Sequence, residues 1–114
     1  MVSLIILPYN RLDVTKDCLE SIRRHTPEPH EIIIIDNGSS DGSRQWLRQR
    51  AKEQSTIRLI ENQENRGFSA GCNQGMQAAK GDYLLLINND TVVTPGWLSG
   101  LLEPFKDPKT GIVG

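Results

Sequence analysis

Two carboxylates and a set of amides stand where apolar runs stop, and their placement is what could do chemistry in this sequence. Tyr83-Leu84-Leu85-Leu86-Ile87 contains no charged residue and ends abruptly in Asn88-Asn89-Asp90. Ile32-Ile33-Ile34-Ile35 ends in Asp36-Asn37-Gly38. Residues 2–7 end in Pro8-Tyr9-Asn10, and Ile57–Asn62 leads into Asn65-Arg66-Gly67-Phe68. The unbroken run before Asn88 reads as a strand buried on both faces, the usual state of a central parallel strand. Such a strand rarely ends in three polar side chains unless something outside the sheet needs them. Ligands of open α/β sheets bind at the carboxyl ends of the strands. Asp90 is therefore a candidate ligand for a hard cation, Mg2+ or Mn2+, which needs only one or two carboxylates when water and phosphate oxygens complete its shell. Its bland alternative is a helix cap or turn former, a role Thr94 is better placed to fill. Asp36 also admits two readings. It could accept the imide N–H of a uracil or thymine ring, or it could cap its own Asn37-Gly38 turn.

These residues meet only if the strands run parallel and are suitably ordered. Leu12, Thr15, Cys18, Leu19 and Ile22 recur at helical spacing, opposite Lys16, Asp17, Glu20 and Arg23, which predicts a helix over residues 12–25. Ser40 or Asp41 is predicted to cap a helix reaching Gln54 that buries Trp46, Leu47 and Ala51. Ser69 is predicted to cap another through Lys80, with Gly81 as its stop. Thr94 and Pro95 are predicted to start a last one, carrying Trp97, Leu98, Leu101, Leu102 and Phe105 as its buried stripe. Ile57–Asn62 alternates enough to lie near a sheet edge, and residues 111–114 read as the opening of a further strand. The alternation of strand and helix predicts a three-layer α/β/α fold, Rossmann-like, with a mainly parallel sheet in the order 3-2-1-4. All four polar loops then share one edge, while the links at the other end, residues 26–30 and 80–82, carry ordinary chain breakers. Gly67, Ala70, Gly71 and Gly75 permit a close backbone approach, either to a ligand or to the sheet.

The 114 residues suffice for one domain with a single core, so residues 1–114 are read as one unit. With 37% apolar and 24% charged residues the chain is of the soluble globular class. A net charge of −1, and no basic run longer than Arg23-Arg24, argues against nucleic acid or an anionic membrane as the main partner. The apolar start lacks a basic n-region and a cleavage site and is too short to span a bilayer, so no transmembrane segment is expected in this chain. Cys18 and Cys72 show neither ligand nor disulfide spacing, and a cytoplasmic location is the plain inference. No G-x-G-x-x-G or G-x-x-x-x-G-K-[ST] occurs, so the dinucleotide and P-loop readings lack their phosphate loops.

Leu7-Pro8-Tyr9-Asn10-Arg11, the stretch from Ile34 to Gly42, Asn65-Arg66-Gly67-Phe68 and Leu86-Ile87-Asn88-Asn89-Asp90-Thr91 together resemble the family 2 glycosyltransferases of the GT-A fold, over essentially the whole chain. Within that family the Asn-Asn-Asp form of the usual Asp-x-Asp motif resembles the rhamnosyltransferase-type bacterial enzymes. The resemblance implies a nucleotide-diphosphate-sugar donor, carrying UDP or dTDP, and a glycan or lipid-linked acceptor. Pro8, Tyr9 and Asn10 would line the nucleoside pocket, with Asp36 on the base and Asn37 and Gly67 in the same set of loops. Gly71 and Asn73 would lie near the ribose or diphosphate, Asn88 and Asn89 beside the donor, and Asp90 on the metal. Asn88 stands where the family's motif has an acid, which leaves Asp90 as the main anionic ligand. The reaction implied is an inverting, metal-dependent transfer to a hydroxyl in polysaccharide or glycan synthesis. The base that takes the acceptor proton would lie beyond Gly114. The chain is therefore expected to be the donor half of a longer, cytoplasmic protein, peripheral at the inner membrane through other regions, that binds but does not catalyse efficiently alone. A nucleotidyltransferase of related sheet is the runner-up, although Pro8-Tyr9-Asn10 is unlike its Gly-rich loop. A non-catalytic nucleotide-sugar-binding module is the third reading.

Overall fold

A computed structural model describes residues 1–107 and 111. The strands are β1 (Val2–Ile6), β2 (His30–Asn37), β3 (Ile57–Asn62) and β4 (Tyr83–Ile87). The helices are α1 (Leu12–His25), α2 (Ser43–Glu53), α3 (Phe68–Ala78) and α4 (Trp97–Leu102), the last followed by a 3-10 turn at Glu103–Lys106. The sheet order is β3-β2-β1-β4, parallel throughout, as the sequence predicts. Residues 112–114, the end of the stretch read as a further strand, lie outside the described residues.

The strand period of two divides the core into two layers. Leu4, Ile6, Ile32 and Ile34 meet Cys18, Leu19 and Ile22 of α1, Leu47 of α2 and Leu98 of α4 on one face. Ile5, Ile33 and Ile35 face the other way, with Leu7, Ile60 and Ala78 packed against them. α3 lies close on this second face because its glycines allow it. A Cβ on Gly75 would stand 2.4 Å from Cγ2 of Ile5, and one on Gly71 2.4 Å from Cδ2 of Leu7. The two contacts predict different outcomes. Ile5 is β-branched and fully buried, so Gly75→Ala should destabilise by roughly 1 kcal/mol, overpacking of 1–3 kcal/mol outweighing the gain in helix propensity. Leu7 offers the free end of a half-buried side chain, so Gly71→Ala should be near neutral. Urea midpoints of the two variants check this; equal midpoints would show that both sites yield.

Two expectations need correcting. β4 is not buried on both faces: it is the outer strand among the described residues, with Leu84 and Leu86 each 47% exposed. Leu85 and Ile87 pack toward the α1 and α4 layer, but α3 sits over β1 and β2 and leaves the opposite face of β4 uncovered. The helix starts differ as well. Gly42, Gly67 and Gly96 occupy the N-cap positions of α2, α3 and α4, all with positive φ, where Ser40 or Asp41, Ser69 and Thr94 were expected, although Asp41 does accept the N–H of Ser43, the first residue of α2. Glycine supplies the left-handed entry that a capping side chain could not take cheaply. α4 is correspondingly short, and Leu98 alone of its predicted stripe is fully buried.

At the amino edge of the sheet an ionic staple closes the floor. Glu31, nearly enclosed, accepts Ser3 Oγ and the Lys80 N–H, both at 2.6 Å, and pairs with Arg58 at 3.1 Å. Arg58 also donates to the Ala78 carbonyl, and Ser3 Oγ accepts the Gly81 N–H at 2.8 Å. The strand β1 is thereby tied to the link between α3 and β4.

Candidate functional site

The register carries the four loops to a common rim. Ile6 pairs with Ile34 of β2 and Ile87 of β4, so Asp36 and Asn88 leave the same carboxyl edge on either side of β1. Two interstrand spacings separate β2 from β4, roughly 10 Å. Between them the β1 loop takes an unusual path: Asn10 (φ 55°) and Arg11 (φ 56°) are consecutive left-handed residues, neither of them glycine. Such backbone costs on the order of 1 kcal/mol per residue and persists only where surrounding bonds fix it.

Those bonds come from the β2–α2 turn. The Asn10 N–H donates to Ser39 Oγ at 2.9 Å, and the Ser40 N–H returns a bond to Asn10 Oδ1 at 2.8 Å. The Leu12 N–H, at the start of α1, donates to Asp41 at 3.2 Å, and the Asn37 N–H to the Pro8 carbonyl at 3.3 Å. Asp41 also takes the Ser43 N–H and hydroxyl at the head of α2, and the Ser43 bonds hold its carboxyl below the usual range. Two loops from different strands are thus clipped into one unit. Ser40 and Asp41, expected from the sequence only as cap candidates, make the clip together with Ser39.

Asp36 lies beneath it with no exposed side-chain surface. Its Oδ1 accepts the Ser39 N–H at 3.1 Å, and its Oδ2 faces Arg44 Nε at 3.4 Å. Arg44 in turn donates to the Asn62 carbonyl at 2.8 Å. These contacts match the turn-capping reading of Asp36, with Ser39 as the residue capped. Arg44 was missed, because a surface-type residue eight positions along, within a helix, gives no sign in the sequence of pointing back at a strand end.

The other predicted residues divide sharply. Asn37 is buried and saturated: Nδ2 donates to Asn65 Oδ1 and the Gly67 carbonyl, and Oδ1 accepts Asn62 Nδ2 and the Arg66 N–H. Both hydrogens and both lone pairs are used, so Asn37 builds the β2–β3 edge and offers a ligand nothing. The missing Cβ of Gly71 faces Leu7 and the sheet, so the glycine there serves close helix–sheet packing. Pro8 is buried, and Asn73 is exposed in the middle of α3, set back from the rim. Tyr9 (49% exposed) and Gly67, whose missing Cβ would meet open space, do border the rim.

At β4 the Asn88 carbonyl closes a turn with the Thr91 N–H at 3.1 Å, and Asn89 Nδ2 donates to Thr15 Oγ1 at 3.1 Å. The Asn88 and Asp90 side chains are exposed and make no hydrogen bond or ion pair among the described residues. Cys18 lies just below, with Sγ 3.9 Å from the Asn88 carbonyl. Burial, with the charge of Asp90 adding to it, pushes its thiol up to about 11, so it is an inert packing residue. No group of three or more His, Cys, Asp or Glu among the described residues could cage a metal alone. One free carboxylate on an open rim instead suits an Mg2+ or Mn2+ ion whose remaining ligands are phosphate and water. The adjoining hollow, about 260 Å³, runs along Asn88, Thr91, Val93, Trp97 and Leu101.

Four parallel strands in this order, with polar loops gathered at one rim, place the chain among the GT-A, Rossmann-like glycosyltransferase folds. The mannosyltransferase PcManGT from Pyrobaculum calidifontis, solved in complex with GDP-Man and Mn2+, superposes with a TM-score of 0.88 at 23% identity over 96% of this chain and 33% of that one. TarS 1–349 of Staphylococcus aureus superposes with a TM-score of 0.78 at 16% identity over 99% of this chain and 38% of that one. The chain belongs to glycosyl transferase family 2, whose model matches residues 3–114. It is similar to EpsH of Bacillus subtilis, at 35% identity over 93% of this chain, and to the poly-beta-1,6-N-acetyl-D-glucosamine synthase of Staphylococcus aureus, at 35% identity over 98%. It spans 30% and 27% of the lengths of those two proteins. Among the described residues no helix is long and apolar enough to cross a membrane.

Proposed function

We propose that this chain is the donor-binding part of a glycosyltransferase that moves a sugar from a UDP- or dTDP-sugar to a hydroxyl of a glycan or lipid-linked acceptor, with inversion, in bacterial polysaccharide synthesis. The observation that carries this reading is the unengaged Asp90 carboxylate on the same rim as the clipped Pro8-Tyr9-Asn10 loop. The family and the GDP-Man and Mn2+ held by the mannosyltransferase of like fold support it. Tyr9 and the Asn10 turn border the nucleoside, and Asp90, with Asn88 and Asn89 beside it, takes the diphosphate end through a divalent ion. When bound, that ion supplies counter-charge to a departing diphosphate. The rhamnosyl-type donor is the sugar class we favour, from the Asn-Asn-Asp sequence. The base that receives the acceptor proton belongs to polypeptide outside this chain. Two free, buried cysteines agree with a reducing, cytoplasmic setting.

The test is thermal unfolding of the chain with UDP, dTDP and GDP, each with and without Mn2+. A nucleotide at roughly 100 times its Kd adds about 2.7 kcal/mol, which for a domain of this size raises the midpoint by about ten degrees. The expected order places UDP and dTDP, with Mn2+, above GDP. Midpoints unmoved by all three would remove the donor site from this chain.

A further inference from the structure

We propose that Asp36 is a positioning residue: it does not read the nucleobase but holds, through Ser39, the left-handed Asn10–Arg11 turn against which the nucleoside lies. This rests on the donor-site reading above, and concerns how that site is built. A carboxylate that reads a base must offer an oxygen within hydrogen-bond reach of the ligand. Asp36 offers none, being fully enclosed with one oxygen on the Ser39 N–H and the other on Arg44. What it does control is the orientation of Ser39. The same residue that gives its N–H to Asp36 gives its hydroxyl oxygen to the Asn10 N–H. The chain of contacts therefore runs Arg44, Asp36, Ser39, Asn10, from a helix through two loops to the strained turn. α1 begins directly after that turn, and its N-cap, Arg11, has no side-chain cap bond. The clip is thus what fixes both the turn and the entry of the helix. The exposed surface next to the turn is the ring of Tyr9, and stacking on a ring discriminates weakly between bases. Base preference is accordingly not set by Asp36.

The experiment compares wild type with Asp36→Asn, Asp36→Ala and Ser39→Ala by calorimetric titration of UDP, dTDP and GDP in Mn2+. The exchange rate of the Asn10 amide is measured without nucleotide. Asp36→Asn keeps an oxygen for the Ser39 N–H and should rescue the site, binding within about threefold of wild type with the same order of nucleotides. Asp36→Ala and Ser39→Ala should each weaken all three nucleotides by a similar factor, on the order of tenfold, and the double variant should be no weaker than the worse single one. Both should also release the Asn10 amide to exchange. The inference is overturned if Asp36→Asn changes the ratio of UDP to GDP affinity tenfold or more, or if the Asn10 amide stays protected in Ser39→Ala. The exchange measurement decides even if Asp36→Ala does not fold or no nucleotide binds. Absence of binding by wild type would sink the donor-site reading while leaving the clip to be judged by exchange alone.

Discussion

Asp90→Asn is expected to abolish the manganese-dependent part of nucleotide binding while leaving the metal-free part intact. The substitution is nearly isosteric and turns the motif into three amides, so the rim keeps its shape and loses its only carboxylate in that turn. Amide oxygens are poor substitutes for a charged ligand when a hard cation has few protein contacts. The loss should be at least tenfold in Kd measured in Mn2+, or about 1.4 kcal/mol, with equal affinities for both proteins in EDTA. The converse change, Asn88→Asp, supplies a second carboxylate at an exposed position and should tighten the Mn2+ dependence. If wild type and Asp90→Asn respond identically to manganese, Asp90 is a turn residue and the cation lies elsewhere. Its freedom from internal partners argues the other way.

The largest effect on stability is expected at the opposite edge. Glu31→Ala strands three groups at once: Arg58 loses its ion pair, and Ser3 Oγ and the Lys80 N–H lose their acceptor. Leaving the buried Ser3 hydroxyl and the Lys80 N–H without their acceptor costs about 3 kcal/mol, a large fraction of the stability of a domain this size, while the pair to Arg58, whose side chain is 39% exposed, adds little. Burial alone would push the Glu31 carboxyl up, but the bonds from Ser3 and Lys80 and the charge of Arg58 outweigh it and hold it below its ordinary value of 4.5. A depressed folded pKa means that the unfolded chain takes up the proton first as pH falls. The stabilisation is then complete above the unfolded value and disappears as pH drops through the folded one. Urea unfolding of wild type and variant should therefore differ most at neutral pH and converge in acid. A difference under about 1 kcal/mol at pH 7 would show that the staple is dispensable.

The layer order was legible because each apolar run is bounded by turn chemistry and separated by a helical period, and the sheet follows from that alternation. The rim was legible for the same reason: a polar loop followed every strand, while the links at the other end carried ordinary chain breakers. What the sequence hides is which polar atoms are already spent. Asn37 and Asn88 look alike as letters, yet one side chain is saturated by four internal bonds and the other faces solvent with none among the described residues. Asp36 could be read either as a base acceptor or as a cap because the deciding neighbour, Arg44, is brought in by helix packing rather than by local sequence. Three of the helix starts were misplaced by one or two residues for a backbone reason: a glycine that close to each expected cap took the left-handed entry. The two-sided burial of β4 failed because apolar content shows what a strand would cover, not whether a layer arrives to cover it.

That uncovered strand gives the sheet a direction of growth. The β3 margin wears Arg58 and Glu61, charges that discourage a further strand from docking there, whereas the β4 margin from Tyr83 to Ile87 wears none. Any segment that extends this sheet therefore joins beside β4, where Leu84 and Leu86 wait half bare. Its carboxyl or amino end would then fall next to Asn88 and Asp90, so newcomers to the fold arrive beside the β4 turn and not beside the clipped loop after β1.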